Sequence, residues 1–445
     1  MWLITLLILS VVLIALSTSR LKLHPFLALL FVSVLFGLGS GMPLASIVDS
    51  INTGFGGTIG QIGIVILAGV IIGTFLEQSG GAYALASKIL GITGRKQVPL
   101  TMSIIGYFVS IPVFADSAFV ILTPLNKALS KEAGISLAGS ACALALGLTV
   151  THNLVPPTPG PIAAAGILEA DLGLVILLGA VSSIPVLLVA WLYAAKFASR
   201  IYIDPAPDIS QQEIETTLKT APSAFKSFVP ILLPLVLIVL KSVSEFPTLP
   251  FGEGGLKEAL GFIGNPVIAL IIGMLMAFTL PRKLDRRMLS SAGWVGKALQ
   301  DAAIIILITG AGGAFGMVLR NSGIAELLGD FLSGMRIGIF LPFLLAAALK
   351  TAQGSSTVAL ITTASLMSPL MASLGWEGDL ARVLVVLAIG AGSMVVSQTN
   401  DSMFWIFTQM THMKVNTGFR VHTLGTLVLG ITAAGVIWVA SLLLL

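Results

Sequence analysis

Asp116, His152 and Asp401 are the side chains best able to exchange a proton or hold a small cation, because each sits in a short polar interruption of an apolar stretch. The interruptions read FADSAF around Asp116, THNLVPPTPGP from Thr151 to Pro161, AQGSST from Ala352 to Thr357 and SQTNDS from Ser397 to Ser402. A carboxylate at such a place either takes up a proton, shares a sodium ion, or only caps a following helix. His152 suits a substrate or proton role about as well as a structural hydrogen bond. Around these groups stand Ser117, Asn153, Thr158, Gly354, Ser355, Ser356, Thr357, Asn400 and Ser402. Their hydroxyls, amides and backbone N–H groups suit a ligand with several hydroxyls, each needing a partner once dehydrated. None of the four interruptions contains Lys or Arg. An anion held there would therefore rest on hydroxyls and on the N–H groups at helix starts.

The elements that position these residues follow from composition. Hydrophobic residues make up 56% of the 445, charged residues only 10%, and mean hydropathy is +1.02, against roughly 25% charged in soluble domains. The chain reads as an all-α polytopic membrane protein. A central Asp costs about 2.5–3.5 kcal/mol on insertion scales, so Asp116 and Asp401 should face a pathway or a partner. The net charge of +4 fits basic cytoplasmic loops and does not call for nucleic acid. Cys142 is the single cysteine and cannot form an intrachain disulfide. The opening apolar stretch lacks a basic n-region and a small-residue cleavage site, so it reads as a retained span.

About ten spans are expected, near residues 2–17, 25–39, 58–77, 134–168, 173–195, 227–241, 261–280, 300–320, 381–410 and 421–443. Segments 98–128 and 337–371 carry small polar residues at their middles and suit re-entrant hairpins. Arg95 and Lys96 flank the first on one side, Lys127 and Lys131 on the other. A hairpin keeps these four on one face, and most Lys and Arg then fall on that face, which the positive-inside rule makes cytoplasmic. Lys350 is expected to snorkel outward, and Glu77, Asp301 and Arg320 to be solvated at span ends.

Residues 68–82 and 311–325 agree at seven of fifteen positions at an offset of 243, and DSAFVILT from Asp116 aligns with SSTVALIT from Ser355 at 239. Gly69 with Gly73, and Gly312 with Gly316, suit close helix packing. The match divides the chain into scaffold spans (1–57), a first repeat (58–195) with hairpin 98–128 and a broken span near 151–161, a cytoplasmic loop (196–226), connecting spans with a basic loop (227–299), and a second repeat (300–443) with hairpin 337–371 and a broken span near 397–402. The assigned sidedness sends 58–77 inward and 300–320 outward, so the halves are inverted. Inverted repeats with broken helices mark secondary transporters, whose site lies where the repeats meet.

VPPTPGP at Val155–Pro161, QGSSTVA at Gln353–Ala359 and NDSMFW at Asn400–Trp405, with FADSAFVILTPL at Phe114–Leu125, resemble the gluconate permease (GntP) family of the ion transporter superfamily. The likeness covers essentially the whole chain, and departs from the family's usual pattern at Ser117, Asn153 and Thr158. It implies proton-coupled import of gluconate or a related hydroxy acid by a homodimeric bacterial inner-membrane protein with an elevator-like movement. Asp116 and Asp401 are the candidates for the coupling ion, H+ before Na+, and the partners are a small organic acid anion and membrane lipid. No cofactor or metal is expected. A sodium-coupled carboxylate or amino-acid symporter is the alternative within the class, and an anion channel the alternative outside it. An enzyme is disfavoured because no Ser or Cys has an evident paired base and no cluster has metal-ligand spacing.

Overall fold

The computed structural model describes residues 2–93, 97–205, 220–245, 250–251, 253–324 and 338–445. Among these the chain is helical, with no strand. The helices are α1 (Trp2–Ser19), α2 (Pro25–Gly39), α3 (Leu44–Gln78), α4 (Gly81–Thr93), α5 (Val98–Val109), α6 (Ala115–Glu132), α7 (Leu137–Leu154), α8 (Pro159–Ile167) and α9 (Leu172–Lys196). They continue with α10 (Ala224–Ser244), α11 (Gly255–Ile263), α12 (Pro266–Ala277), α13 (Trp294–Asn321), α14 (Phe340–Gln353), α15 (Ser356–Met367), α16 (Asp379–Ser393), α17 (Ser402–Met410) and α18 (Val415–Leu444). Several begin where a side chain accepts from a first-turn N–H: Ser136 from Ala138, Asp171 from Leu174, Ser223 from Lys226 and Asn265 from Val267.

Six helical stretches are long and apolar enough to cross a membrane by themselves: Leu44–Gln78, Leu137–Ile167, Leu172–Arg200, Ala224–Ser244, Arg286–Asn321 and Val415–Leu444. α11 and α12 meet at 63° and form a seventh only if taken as one span. The other expected spans fall on shorter apolar helices, α1 and α2, and on the interrupted pair α16 and α17. α3 starts at Leu44 rather than near residue 58, because Asp49, Asn52 and Thr53 lower its hydropathy without ending the helix. Arg95, Lys96, Arg336, the first residue of the second expected hairpin and residues 206–219 of the expected 196–226 loop, Lys219 among them, lie outside the described residues.

α3 and α13 pack antiparallel. Gly54 abuts Gly313, Ala314 and Met317, Gly310 abuts Phe55 and Ile59, and Glu77 meets Lys297. The glycines at this seam permit backbone approach: a Cβ on Gly54 would stand 2.4 Å from the Gly313 carbonyl oxygen. Against this pair lie two helix–turn–helix units, α5–α6 and α14–α15, and two interrupted helices, α7–α8 and α16–α17. α5 lies on α7, and α14 lies on α16, each through glycine: a Cβ on Gly147 would be 2.3 Å from Ser103 O, and one on Gly392 2.2 Å from Phe343 O. The second arm of each hairpin also packs on the far half of the other interrupted helix, α15 on α8 and α6 on α17.

Irregular backbone inside such a bundle requires polar partners. Ser397 N–H donates to Thr426 Oγ1 at 3.0 Å, and its carbonyl accepts from Thr423 Oγ1 at 2.5 Å. Asn400 Nδ2 donates to the Thr351 and Ala352 carbonyls at 2.9 and 3.0 Å, closing the end of α14. Thr151 Oγ1 donates to Tyr107 O at 2.9 Å near the end of α5.

Gly354 joins α14 to α15 at φ +90°, and a Cβ there would lie 2.1 Å from Asn400 O. Gly134 has φ +64° with nothing within 4 Å of its Cβ position. Gly134→Ala is expected to cost only the left-handed strain, about 1–2 kcal/mol. Gly354→Ala should cost clearly more and displace the tip from Asn400. Thermal unfolding of the two purified variants checks the difference; equal losses would remove the Asn400 contact from the explanation.

Candidate functional site

A cavity of about 640 Å³ opens where the hairpin turns, the helix breaks and the α3–α13 pair meet. Asp116, Ser117, His152, Asn153, Gly354, Ser355, Ser356, Thr357, Asn400, Asp401 and Ser402 all line it. These residues come from the four interruptions, brought together over up to 286 positions of sequence in the case of Asp116 and Ser402. Thr158 is the exception. It is buried away from the cavity lining, and its hydroxyl donates to Val155 O at 2.9 Å, closing the proline turn instead of facing a ligand.

Three half-helices begin at this cavity. α6 starts after Phe114 with no side-chain cap; in α15 the Ser355 hydroxyl accepts from Val358 N–H at 3.3 Å; in α17 Asp401 Oδ1 accepts from Met403 N–H at 3.1 Å. Their remaining first-turn N–H groups have no intrahelical partner and bring the positive ends of three dipoles together. α8 contributes less, since Pro159 and Pro161 have no N–H to offer.

The two carboxylates differ. Asp116 Oδ2 accepts from Ser402 Oγ at 2.6 Å, so the first hairpin turn is tied to the second helix break. Asp401 is buried and ion-paired: Lys350 Nζ lies 2.6 Å from its Oδ2, and Lys350 also donates to Gly354 O. Only 2% of the Lys350 side chain is exposed, so the outward snorkel expected from sequence is wrong. The reason is geometric. Lys350 lies six residues before Ser356, about 9 Å along the helix, whereas a hairpin tip at mid-membrane is about 15 Å from either interface. Turning inward gives the ammonium a carboxylate and the Gly354 carbonyl just past the end of α14.

His422 is a site residue that sequence reasoning missed. It sits in the π-helical turn Phe419–Thr423 within α18, is fully buried, and stacks on Phe407 with ring centroids 4.7 Å apart. Ser397 Oγ lies 2.5 Å from Asp401 Oδ2 and 3.1 Å from His422 Nε2. Ser397 has one proton, which goes to the carboxylate, so His422 donates from Nε2 and keeps Nδ1 as an acceptor. That Nδ1, His152 Nδ1 and Asn400 Oδ1 are buried atoms without a hydrogen-bond partner, and all three belong to cavity-lining residues. Buried polar atoms are normally paired; three of the six exceptions among the described residues belong to this one cavity, which suits a ligand site, and the others are Asn126 Nδ2, Thr362 Oγ1 and Thr363 Oγ1. The signal for His422 was faint: RVHT precedes an apolar run and reads as its polar lead.

Glu77, Lys297 and Asp301 also line this cavity, with Lys297 Nζ 3.5 Å from Glu77 Oε1. Glu77 and Asp301, expected to be solvated at span ends, therefore stand on the cavity wall. Arg320 lies elsewhere, beside Ser368 in a smaller cavity of about 100 Å³. No group of three or more His, Cys, Asp or Glu among the described residues is arranged to hold a metal.

The GntP family permease profile matches residues 1–443. The chain belongs to this family. This GntP permease is a multi-pass membrane transporter and not an enzyme. It is 38% identical over 420 residues to an uncharacterized permease of Haemophilus influenzae, covering 91% of this chain and 85% of that one. It is 34% identical over 434 residues to a gluconate permease of Pseudomonas aeruginosa, covering 96% and 94%. In fold, the permease is similar to Neisseria gonorrhoeae MtrF, with TM-score 0.69 and 14% identity over 95% of this chain and 96% of that one.

Lys350→Gln in the permease leaves Asp401 as an uncompensated buried charge, expected to cost about 3–5 kcal/mol. Lys350→Gln with Asp401→Asn removes both charges while keeping a donor and a capping acceptor, and should regain most of that stability. Unfolding midpoints in detergent check this, and a double variant no better than the single would show that the charge pair is not the cause.

Proposed function

We propose that this permease is a secondary active transporter importing gluconate or a related small hydroxylated monocarboxylate, with H+ as the coupling ion, across a bacterial inner membrane. The observation that carries this reading is the convergence of three half-helix N-termini on a cavity walled by Ser117, Ser355, Ser356, Thr357, Asn400 and Ser402. Helix starts favour a carboxylate, and a dense set of hydroxyls and amides suits a polyol chain. The volume falls within the range of about 300–1,000 Å³ usual for small-molecule sites. The gluconate permease of Pseudomonas aeruginosa supports the same substrate class.

The antiparallel α3–α13 pair and the reciprocal packing of α15 on α8 and α6 on α17 support an inverted repeat. Alternating access then follows as motion of the hairpins and broken helices against the α3–α13 pair, in a homodimer with its basic loops cytoplasmic. Asp116 and Asp401 are the candidate carriers of the coupling ion, and His152 a substrate contact.

At a hundredfold excess over Kd, gluconate should stabilise the purified protein by about 2.7 kcal/mol, and hexanoate, which keeps the carboxylate and lacks the hydroxyls, far less. Equal stabilisation would sink the polyol reading. In liposomes, radiolabelled gluconate should accumulate under an imposed proton gradient and not under a sodium gradient; the reverse result would favour sodium. Asn at the coupling carboxylate should preserve gluconate exchange and abolish uphill accumulation. Full proton-driven accumulation in both Asp116→Asn and Asp401→Asn would leave neither as the carrier. Single-channel currents in place of saturable uptake would make the protein a channel.

A further inference from the structure

We propose that Lys350 and Asp401 form an exchangeable ion pair, in which the substrate carboxylate takes Lys350 and the displaced Asp401 takes the coupling proton. This rests on the reading of the substrate as a carboxylate anion and adds to it the residue that binds the anion and the residue that binds the proton.

The argument starts from charge. Two lysines line the cavity. Lys297 is half exposed and 3.5 Å from Glu77, whereas Lys350 lies beneath the second hairpin turn, 2.6 Å from Asp401. Lys350 is thus the cation at the place where the starts of α6, α15 and α17 converge, and its charge is already balanced. Adding an anion there without a proton leaves one buried negative charge uncompensated, which is strongly unfavourable. Adding the anion with a proton on Asp401 leaves Lys350 paired with substrate and Asp401 neutral. Empty and fully loaded cavities then carry the same net charge at this pair. Both half-loaded states are penalised, the anion without the proton by a net negative charge and the proton without the anion by an unpaired Lys350, and those penalties are what couple the two fluxes.

The surroundings of Asp401 suit both states. The charged or titratable groups facing it are Lys350 from α14 and His422 from α18, with Asp116 on α6 and His152 on α7 across the cavity and Glu77, Lys297 and Asp301 on its α3–α13 wall. As a carboxylate, Asp401 accepts from Lys350, Ser397 and Met403 N–H. Once protonated on Oδ2 it donates to Ser397 Oγ, which turns its own proton to His422 Nε2, while Oδ1 keeps the α17 cap. The same state is reached if the proton enters at His422 Nδ1, the atom that lacks a partner in this structure, while Nε2 passes its hydrogen to Ser397 and Ser397 passes its own to Asp401. No oxygen or nitrogen of the chain loses a bond except the one Lys350 gives to substrate. Asp116 has no cation to surrender, and its bond from Ser402 is unaffected by an anion at Lys350.

The test measures [14C]gluconate binding together with proton uptake by the full-length purified protein in weakly buffered detergent. Wild type should take up about one proton per gluconate bound, and its Kd should rise about tenfold per pH unit between the titration of Asp401 in the empty protein and its titration in the loaded one. Asp401→Asn should bind gluconate without proton uptake and without that pH dependence. The double variant Lys350→Gln/Asp401→Asn, which remains neutral at this point, should lose gluconate affinity by at least about tenfold. Proton uptake retained in Asp401→Asn, or wild-type affinity in the double variant, overturns the exchange. Gluconate binding by wild type without proton uptake also overturns it while leaving the substrate reading intact. No gluconate binding by wild type overturns the substrate reading itself.

Discussion

The structure depends on one constraint: backbone interrupted inside an apolar bundle must find partners for the N–H and C=O groups that the helix no longer satisfies. Here the interruptions satisfy one another. Asn400 closes the end of α14, Thr423 and Thr426 hold Ser397, and Thr151 reaches the Tyr107 carbonyl. The groups left over at the starts of α6, α15 and α17 all face the same space. A polar cavity in a chain with few charges is therefore what these interruptions leave after satisfying one another.

Glycine makes that closure possible. Gly73 approaches the Pro112 carbonyl so nearly that a Cβ would stand 2.1 Å from it, Gly69 lies against Pro157, and Gly354 lies against Asn400. In the first repeat, the paired glycines read from sequence as helix-packing residues thus pack against the hairpin turn and the helix break. In the second, Gly312 and Gly316 lie against Ile361 and Ser365 on α15. The spacing revealed that something would come close; what came close required the fold.

Most of the site was legible because its residues violate local rules in a long apolar sequence. Asp116, Asn400 and Asp401 have no business in hydrocarbon, and prolines from 156 to 161 cannot sustain a helix. Lys350 was misjudged because its side chain was considered apart from the hairpin that carries it; a tip at depth drags its flanking lysine to depth. His422 was invisible for a different reason. Its neighbours on α18 are ordinary, and only the π-helical turn and the approach of Ser397 give it a polar partner. Thr158 errs the other way, since a threonine beside prolines in a break has the carbonyl of Val155, three residues back, to satisfy before any ligand.

The two halves match in pattern but not in charge, and the mismatch gives the site a direction. Asn153 and Ser393, 240 positions apart and close to the offset at which the sequence matches itself, hydrogen-bond at 3.0 Å. Other matched positions differ in charge. Asp116 stands opposite Ser355 in the alignment, and Glu77 opposite Arg320. One hairpin turn therefore presents a carboxylate tied to Ser402, and the other presents hydroxyls above a buried lysine. A symmetric cavity would accept a carboxylate at either end of a polyol chain equally. With the ammonium on one side and Asp116 on the other, the proposed anionic substrate would be drawn to the Lys350 side and repelled from Asp116, whose oxygens suit hydroxyl donors. The likeness of the two halves thus stops at their charges, and under the proposed function that asymmetry would hold a carboxylate ligand in one orientation.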